Sequence, residues 1–284
     1  MSYQNESGQS ARRKQSAVPA PARRRVAAFF DLDKTIIAKS SAYAFNKKFH
    51  ESGLLSTSGV VQMALSQALY ISQGHDHDQM EAARDQLSAM VTGWKAETVR
   101  KIAEESLHQV ISPYVYAEAR ELIQHHQRLG HDVYVVSASA EELVEPIAAA
   151  IGVPRTVATR LEVKDGIYTG VVPFFCRGGN KSAELQRLAK LHGYDLNYCY
   201  AYSDSITDEP MLSTVGYPMA TNPDKALRKL AAERNWPIRD FHNPEPLFKT
   251  SSQRVTAVSV VTALVTAIVV GFALRRSRPS NTDS

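Results

Sequence analysis

The chain alternates short apolar runs with longer amphipathic stretches. Val26 to Phe30 is an unbroken apolar run with charge on both sides, which predicts a buried strand. "DVYVVSAS" at 132–139, "YCYAYSD" at 198–204 and "GYPMAT" at 216–221 predict three more core strands. Between the first two, residues 40–112 carry apolar positions at helical spacing and no strand signal. The pattern recurs in "SAYAFNKKFHESGLL", "SGVVQMALSQALYIS", "QMEAARDQLSAMVTG" and "AETVRKIAEESLHQV", with Gly53, Gly74 and Gly93 as breakers. A helix is predicted from about Pro113, a first-turn proline, to Leu129 before Gly130. Further helices are predicted from about Ala140 and Asn180. "TVATRLEVKDGIYTGVV" alternates around Asp165-Gly166 and predicts a hairpin. Strands alternating with helices predict an α/β fold: a Rossmann-like parallel sheet with helices on both faces and a helical cap inserted after strand 1. No internal repeat is present.

The two ends read differently. Residues 1–25 hold Ser, Gln, Pro, Ala and Arg with almost no large apolar residue, and are expected to be a disordered basic leader. They lack the apolar core of a signal peptide, so secretion is not expected. Val255 to Leu274, "VTAVSVVTALVTAIVVGFAL", is 20 residues without a charge. That length matches the hydrocarbon core of a bilayer and predicts a C-terminal transmembrane helix, only moderately hydrophobic because Ser, Thr and Ala dilute it. Arg275, Arg276 and Arg278 follow the span while Lys249 and Arg254 precede it. Those charges do not favour a cytoplasmic main domain, and the missing signal peptide decides for one. The expected location is the cell membrane, single-pass, with the catalytic domain cytoplasmic; a segment lying in the interface is the alternative.

Charge narrows the partners. The formal net charge is +4 over 284 residues. Much of the excess sits in Arg12, Arg13, Lys14, Arg23, Arg24 and Arg25, and in the three C-terminal arginines. The chain between is nearly balanced, which argues against a nucleic-acid groove. Only Cys176 and Cys199 occur, so there is no disulfide framework and a reducing compartment fits.

The candidate chemistry lies where predicted strands end, the edge at which open α/β sheets bind ligands. Asp31, Asp33 and Thr35 follow the first strand, Ser137 closes "VYVVS", and Asp204 and Asp208 follow "YAYS". Lys181 opens the helix before that last strand. Close carboxylates repel, and a fold keeps them when a metal, a cation or a proton offsets the charge. Four carboxylates, hydroxyls and a lysine at one edge suit a metal-dependent phosphate site. Plainer readings exist for each residue: Asp31 as a turn residue, Ser137 as a strand end, Lys181 as an exposed helix start, Asp208 as a cap before Glu209-Pro210. Ser139, Ser203 and Ser205 read as loop hydrogen-bonders. "HDHD" at 75–78 reads as a polar connection, and His125-His126 as helix surface.

The ordered set "DLDKT", Ser137, Lys181 in "GGNKSAEL", and the acids of "YAYSDSITDEPML" resembles the haloacid dehalogenase superfamily of aspartate-based phosphatases over roughly residues 26–240. The insert after the first motif resembles the cap of its phosphoserine-phosphatase-like subfamily. The resemblance implies a Mg²⁺-dependent phosphomonoesterase acting on a small-molecule or lipid-linked phosphomonoester. It implies catalytic Asp31 and Asp33, phosphate-binding Thr35, Ser137 and Lys181, and metal-binding Asp31, Asp33, Asp204 and Asp208. The implied domain is 26–248, with core 26–39 and 113–248, cap 40–112 and anchor 249–284. The alternative is a catalytically weak membrane-bound scaffold on the same fold. Phosphoserine phosphatases carry Glu nine residues after the nucleophile to pair the substrate amine. Here that residue is Ser40, and Ser137-Ala138-Ser139 replaces their Ser-Gly-Gly, so poor phosphoserine turnover is expected. Asp33-Lys34-Thr35 also spells the start of an ion-pump phosphorylation motif. Ile36-Ile37 break it, one span forms no transport path, and the strand precedes Asp31. Lys34 acquires no role from sequence.

Overall fold

The computed structural model of the chain describes residues 24–56 and 77–248. The stretch 58–72, nearly all of the leader and the whole of 255–274 lie outside the described residues. Among the described residues no helix is long and apolar enough to cross a membrane.

The core is one parallel sheet of six strands in the order β3-β2-β1-β6-β7-β8. These are β1 (Ala27–Asp31), β2 (Asp132–Ala140), β3 (Thr156–Thr159), β6 (Tyr200–Ser203), β7 (Tyr217–Thr221) and β8 (Ile238–Arg239). A second, antiparallel pair is β4 (Val163–Lys164) with β5 (Ile167–Tyr168). The helices are α1 (Ser41–Glu51), α2 (His77–Val91), α3 (Ala96–Val110), α4 (Ala117–Arg128), α5 (Glu141–Ala150), α6 (Gly179–His192), α7 (Glu209–Ser213) and α8 (Lys225–Glu233).

β1 lies between β2 and β6 and is buried along its length. Strand side chains alternate, so its residues feed two cores. Ala28 and Phe30 join a cluster with Val133, Val135, Ile123 and Ile147, continuous with Phe45, Phe49 and Trp94 of the cap region. Ala27 and Phe29 join Tyr134, Val136, Leu185 and Ala201 on the other face. A run with both faces buried has no polar side to present, which is why Val26–Phe30 is uniformly apolar.

Several expectations needed correction. The predicted helix from Pro113 starts late: Ser112–Tyr114 is a single 3-10 turn, and α4 begins at Ala117. Val115 and Tyr116 between them are extended, Val115 bridging to Ile37 and Tyr116 to Pro244. "TVAT" is not a hairpin arm but the parallel edge strand β3, paired with β2. The hairpin is confined to β4 and β5, where Asp165 and Gly166 take φ of 52° and 79°, the left-handed pair that a two-residue turn demands. Arg24 and Arg25 do not belong to a disordered leader. Arg25 is bound to Asp132 at 2.8 Å, and Arg24 lies over the Tyr198 ring.

The hairpin is fastened to the cap helices. Gly93 N–H donates to the Tyr168 carbonyl, Tyr168 N–H to the Trp94 carbonyl, and Ala96 N–H to the Gly166 carbonyl. Arg84 and Ser88 of α2 donate to the carbonyls of Val172 and Gly170.

Candidate active site

Asp31 is the last residue of β1 and pairs in register with Val136, one residue before Ser137. Asp204 follows β6, Asp208 ends the 3-10 turn Ile206–Asp208, and Lys181 lies in the first turn of α6. The fold therefore gathers these residues at the carboxyl edge of the central strands. The Lys181 ammonium bridges two carboxylates, 2.7 Å from Asp31 Oδ1 and 2.7 Å from Asp208 Oδ2. All three side chains are buried, Lys181 at 2% exposure. The Ser203 hydroxyl donates to the same Asp208 oxygen at 2.7 Å.

Asp33 sits just beyond, and its Oδ1 accepts the Ser41 N–H at 2.8 Å. Ser41 opens α1, so the cap's first helix holds this carboxylate. The Ser137 hydroxyl accepts the Ser139 N–H at 3.2 Å, and the Ser139 hydroxyl meets that of Ser41 at 2.8 Å. Thr35 is fully buried, and its hydroxyl has no hydrogen-bond partner among the described residues. Lys34 stands at φ 59°, and its carbonyl accepts the Asn222 amide at 3.0 Å. Its charge reaches Asp204 and acts to lower that carboxyl's pKa.

The electrostatics are unbalanced. Burial raises the Asp31 pKa to about 7, with the charges of Asp208 and Asp33 adding to the rise and Lys181 opposing it. Burial and the charge of Asp31 raise Asp204 to about 8. Burial also raises Asp33, against the hydrogen bonds from Ser41. Lys181 is pushed down by burial, but Asp208 and Asp31 outweigh this and hold it well above the usual lysine range.

The Asp204 carboxylate, in a residue 7% exposed, has no hydrogen-bond or ion-pair partner among the described residues. A buried carboxylate without a donor, beside a second carboxylate, is the donor set of a hard cation. No three side chains among the described residues form a closed metal cluster. Mg²⁺ does not need one, because it keeps waters and substrate oxygens in its shell and takes one or two carboxylates. The residues therefore fit Mg²⁺, with Asp31 and Asp204 as the ones that would hold it.

A cavity of about 270 Å³ extends from Asp33 and Ser139 under the cap, between α1, α2, α3 and the sheet end. A larger open cleft of about 480 Å³, lined by Glu118, His125 and Arg239, contains none of the motif residues.

Sequence reasoning missed Ser41 and the residues that brace the site. Asp224 accepts the Ile206 N–H at 3.0 Å, and its own N–H donates to the Asp204 carbonyl at 2.8 Å. It caps α8 as well, accepting from Leu227 N–H at 2.7 Å, so the helix-start pattern "PDKAL" was the available signal. His126 is not surface. It is 2% exposed, its Nε2 lies 2.8 Å from the Tyr202 hydroxyl, and burial lowers its pKa to about 4.

Residues 28–213, more than half of the chain, match the model of the haloacid dehalogenase-like hydrolases. The chain belongs to that family, as a phosphatase. A probable phosphatase of Mycobacterium tuberculosis is 49% identical over 247 residues, covering 87% of this chain and 85% of the relative. A protein of Streptomyces azureus named for inhibition of morphological differentiation is 48% identical over 252 residues, with 88% and 90% covered. Among solved structures, a Bordetella pertussis protein of unknown function superposes with a TM-score of 0.66 at 26% identity, covering 79% of this chain and 100% of that one. A phosphoserine phosphatase carrying a phospho-aspartyl intermediate analogue shares the fold, with a TM-score of 0.56 at 21% identity and 78% and 95% covered.

Proposed function

We propose that the chain hydrolyses phosphomonoesters through an aspartyl phosphate on Asp31, with Mg²⁺ bound. The observation that carries this reading is Lys181, buried and 2.7 Å from both Asp31 and Asp208 at the strand ends. A lysine so placed holds the nucleophile and offsets part of the charge that would repel a phosphate dianion. Bound Mg²⁺ would supply the remaining neutralisation of carboxylate and phosphoryl oxygens.

In the first step an Asp31 carboxylate oxygen bonds to phosphorus and the bond to the leaving oxygen breaks. Asp33, whose pKa is raised by burial, gives its proton to that oxygen. In the second step water attacks phosphorus, Asp33 takes the water's proton, and Asp31 is released. The Ser137 hydroxyl and Lys181 bind phosphoryl oxygens. Thr35 belongs to the turn that carries Asp33, and Asp208 acts through Lys181.

Asp31→Asn tests the reading. The amide is nearly isosteric but cannot attack phosphorus, so phosphate release from an aryl phosphate with Mg²⁺ should fall by a factor on the order of 10⁴ or more. Near-normal hydrolysis would overturn the assignment. A second reading, a scaffold without turnover, draws on the name of the Streptomyces azureus relative. It is the reading left standing if the wild-type chain hydrolyses no phosphomonoester.

We also assign 255–274 to a membrane tether, with the catalytic part cytoplasmic, on its uncharged length. The full chain should stay with membranes through a high-salt wash, and a chain lacking 250–284 should be soluble and active. Release of the full chain by salt alone would remove the tether.

A further inference from the structure

The cavity under the cap has a composition that fits one class of leaving group. It begins at Asp33, the residue assigned to protonate the leaving oxygen, and at Ser139 beside Ser137. Whatever alcohol is released must therefore lie in it. Its walls are mainly hydrocarbon: Phe49, Leu87, Met90, Trp94, Leu143 and Phe175. Asp33 is the only acidic residue among the described lining residues, and Arg177 adds a positive charge. An ammonium-bearing alcohol entering here would lose its water with no carboxylate on the described wall but the proton donor, because Glu142 lies behind Tyr168 and is not among the lining residues, so the burial is costly. A polyhydroxylated alcohol would fare little better. The described polar side chains of the wall include Tyr168 and Asn46, and the buried Asn46 Oδ1 has no hydrogen-bond partner among the described residues. The Tyr168 phenol is held protonated, first by burial and then by the charge of Glu142 beside it. With Gln86 and Ser139 these two offer places for a few neutral polar groups on an otherwise mainly hydrocarbon wall.

We propose that the substrate is the phosphate monoester of a neutral, largely hydrocarbon alcohol, whose chain or ring fills the cap cavity. The size follows from the volume. A cavity of about 150 Å³ lined by aliphatic and aromatic residues holds one benzene, and this one measures about 270 Å³. The buried part of the alcohol is thus on the order of two benzene-sized groups, or a medium alkyl chain.

This inference rests on the phosphatase reading, and the experiment separates the two. Phosphate release by the full-length chain with Mg²⁺ is measured on n-octyl phosphate, glycerol phosphate, phosphoethanolamine and O-phosphoserine. These are esters of primary alcohols that differ chiefly in the body of the alcohol. Acetyl phosphate, which has almost no body to seat, serves as the reference. We expect kcat/KM for n-octyl phosphate to exceed that for each of the other three alcohol esters by on the order of tenfold or more, since a single methylene in an apolar pocket is worth about that much. Turnover of acetyl phosphate with equal rates across the four esters, or preference for a charged one, would overturn the inference and leave the phosphatase standing. No turnover of any of them would overturn both. Ala83→Phe fills the cavity from α2. It should lower the ratio of n-octyl phosphate to acetyl phosphate kcat/KM by on the order of tenfold. An unchanged ratio in a folded variant would show that the alcohol lies elsewhere. Should that variant fail to fold, Met90→Gln, at a partly exposed wall position, gives the same readout.

Discussion

The two ends of the central strands both carry buried or half-buried aspartates, and they resolve them in opposite ways. At the amino end, Asp132 receives Arg25 at 2.8 Å, Arg155 at 3.0 Å and the Tyr194 hydroxyl at 2.7 Å. Burial pushes its pKa up, but the hydrogen bonds and the two arginines outweigh burial and hold the carboxyl below its usual range. At the carboxyl end, Asp31 and Asp208 share one buried lysine, Asp204 has no such partner among the described residues, and Asp31 and Asp204 are raised. The same residue type in the same sheet is closed off at one end and left short of positive charge at the other. A structural ion pair satisfies itself, whereas a site that must receive a cation and a phosphate dianion is complete only when they arrive.

Removing Lys181, the one buried lysine among the described residues, should break the contrast most severely. Lys181→Met leaves Asp31 buried without its cation and Asp208 with only the Ser203 hydroxyl, which costs roughly 3–5 kcal/mol. Chemical denaturation in a chelator should show that loss, together with absent phosphatase activity; full stability would mean the pair is offset by something other than Lys181.

Magnesium should act most strongly where the carboxylates are hardest to ionise. Folded Asp31 and Asp204 sit near 7 and 8, against a reference of 3.8. Between those limits the folded chain binds more protons than the unfolded one, so the metal-free protein loses stability as pH rises from about 4 to about 8. In the proposed mechanism Mg²⁺ would bind the ionised form and offset that loss. Its lift of the thermal midpoint should be small at pH 5 and larger at pH 8, and an equal lift at both would contradict the imbalance.

The smallest effect belongs to the closed end. Asp132→Asn should cost about 1 kcal/mol, as for a partly exposed ion pair, and leave kcat/KM with an aryl phosphate within about twofold. A large loss of activity would mean that the amino end also governs the site.

What the sequence made legible follows from what repeats locally. Asp31, Lys181 and Asp208 lie at strand and helix ends as expected, because an apolar strand run stops where its polar residues begin, whereas Ser137 lies inside β2, which runs on to Ala140. Ser41, Asn222 and Asp224 were not found, because each acts on a partner distant in sequence or through main-chain atoms that leave no pattern. β3 merged with the hairpin because alternation alone does not say which sheet a strand joins. His126 was misread although the signal existed. Ala119, Ile123 and His126 fall on one face of α4, and all three are buried.

The attachment of the β4–β5 hairpin to α2 and α3 has a mechanical consequence. In the chain the hairpin belongs to the connection after β3, yet three main-chain hydrogen bonds tie it to the segment between those helices. Contact is tight enough there that a side chain at Gly170 would collide with the Thr92 hydroxyl. Any swing that uncovers the phosphate site must therefore carry two stretches far apart in sequence as one body, or tear those bonds. The pivots then number four rather than two, one at each point where either stretch rejoins the sheet. In hydrogen exchange, the amides of Gly93, Ala96 and Tyr168 would open together, at a common rate, and slow together when a substrate analogue is held beneath them.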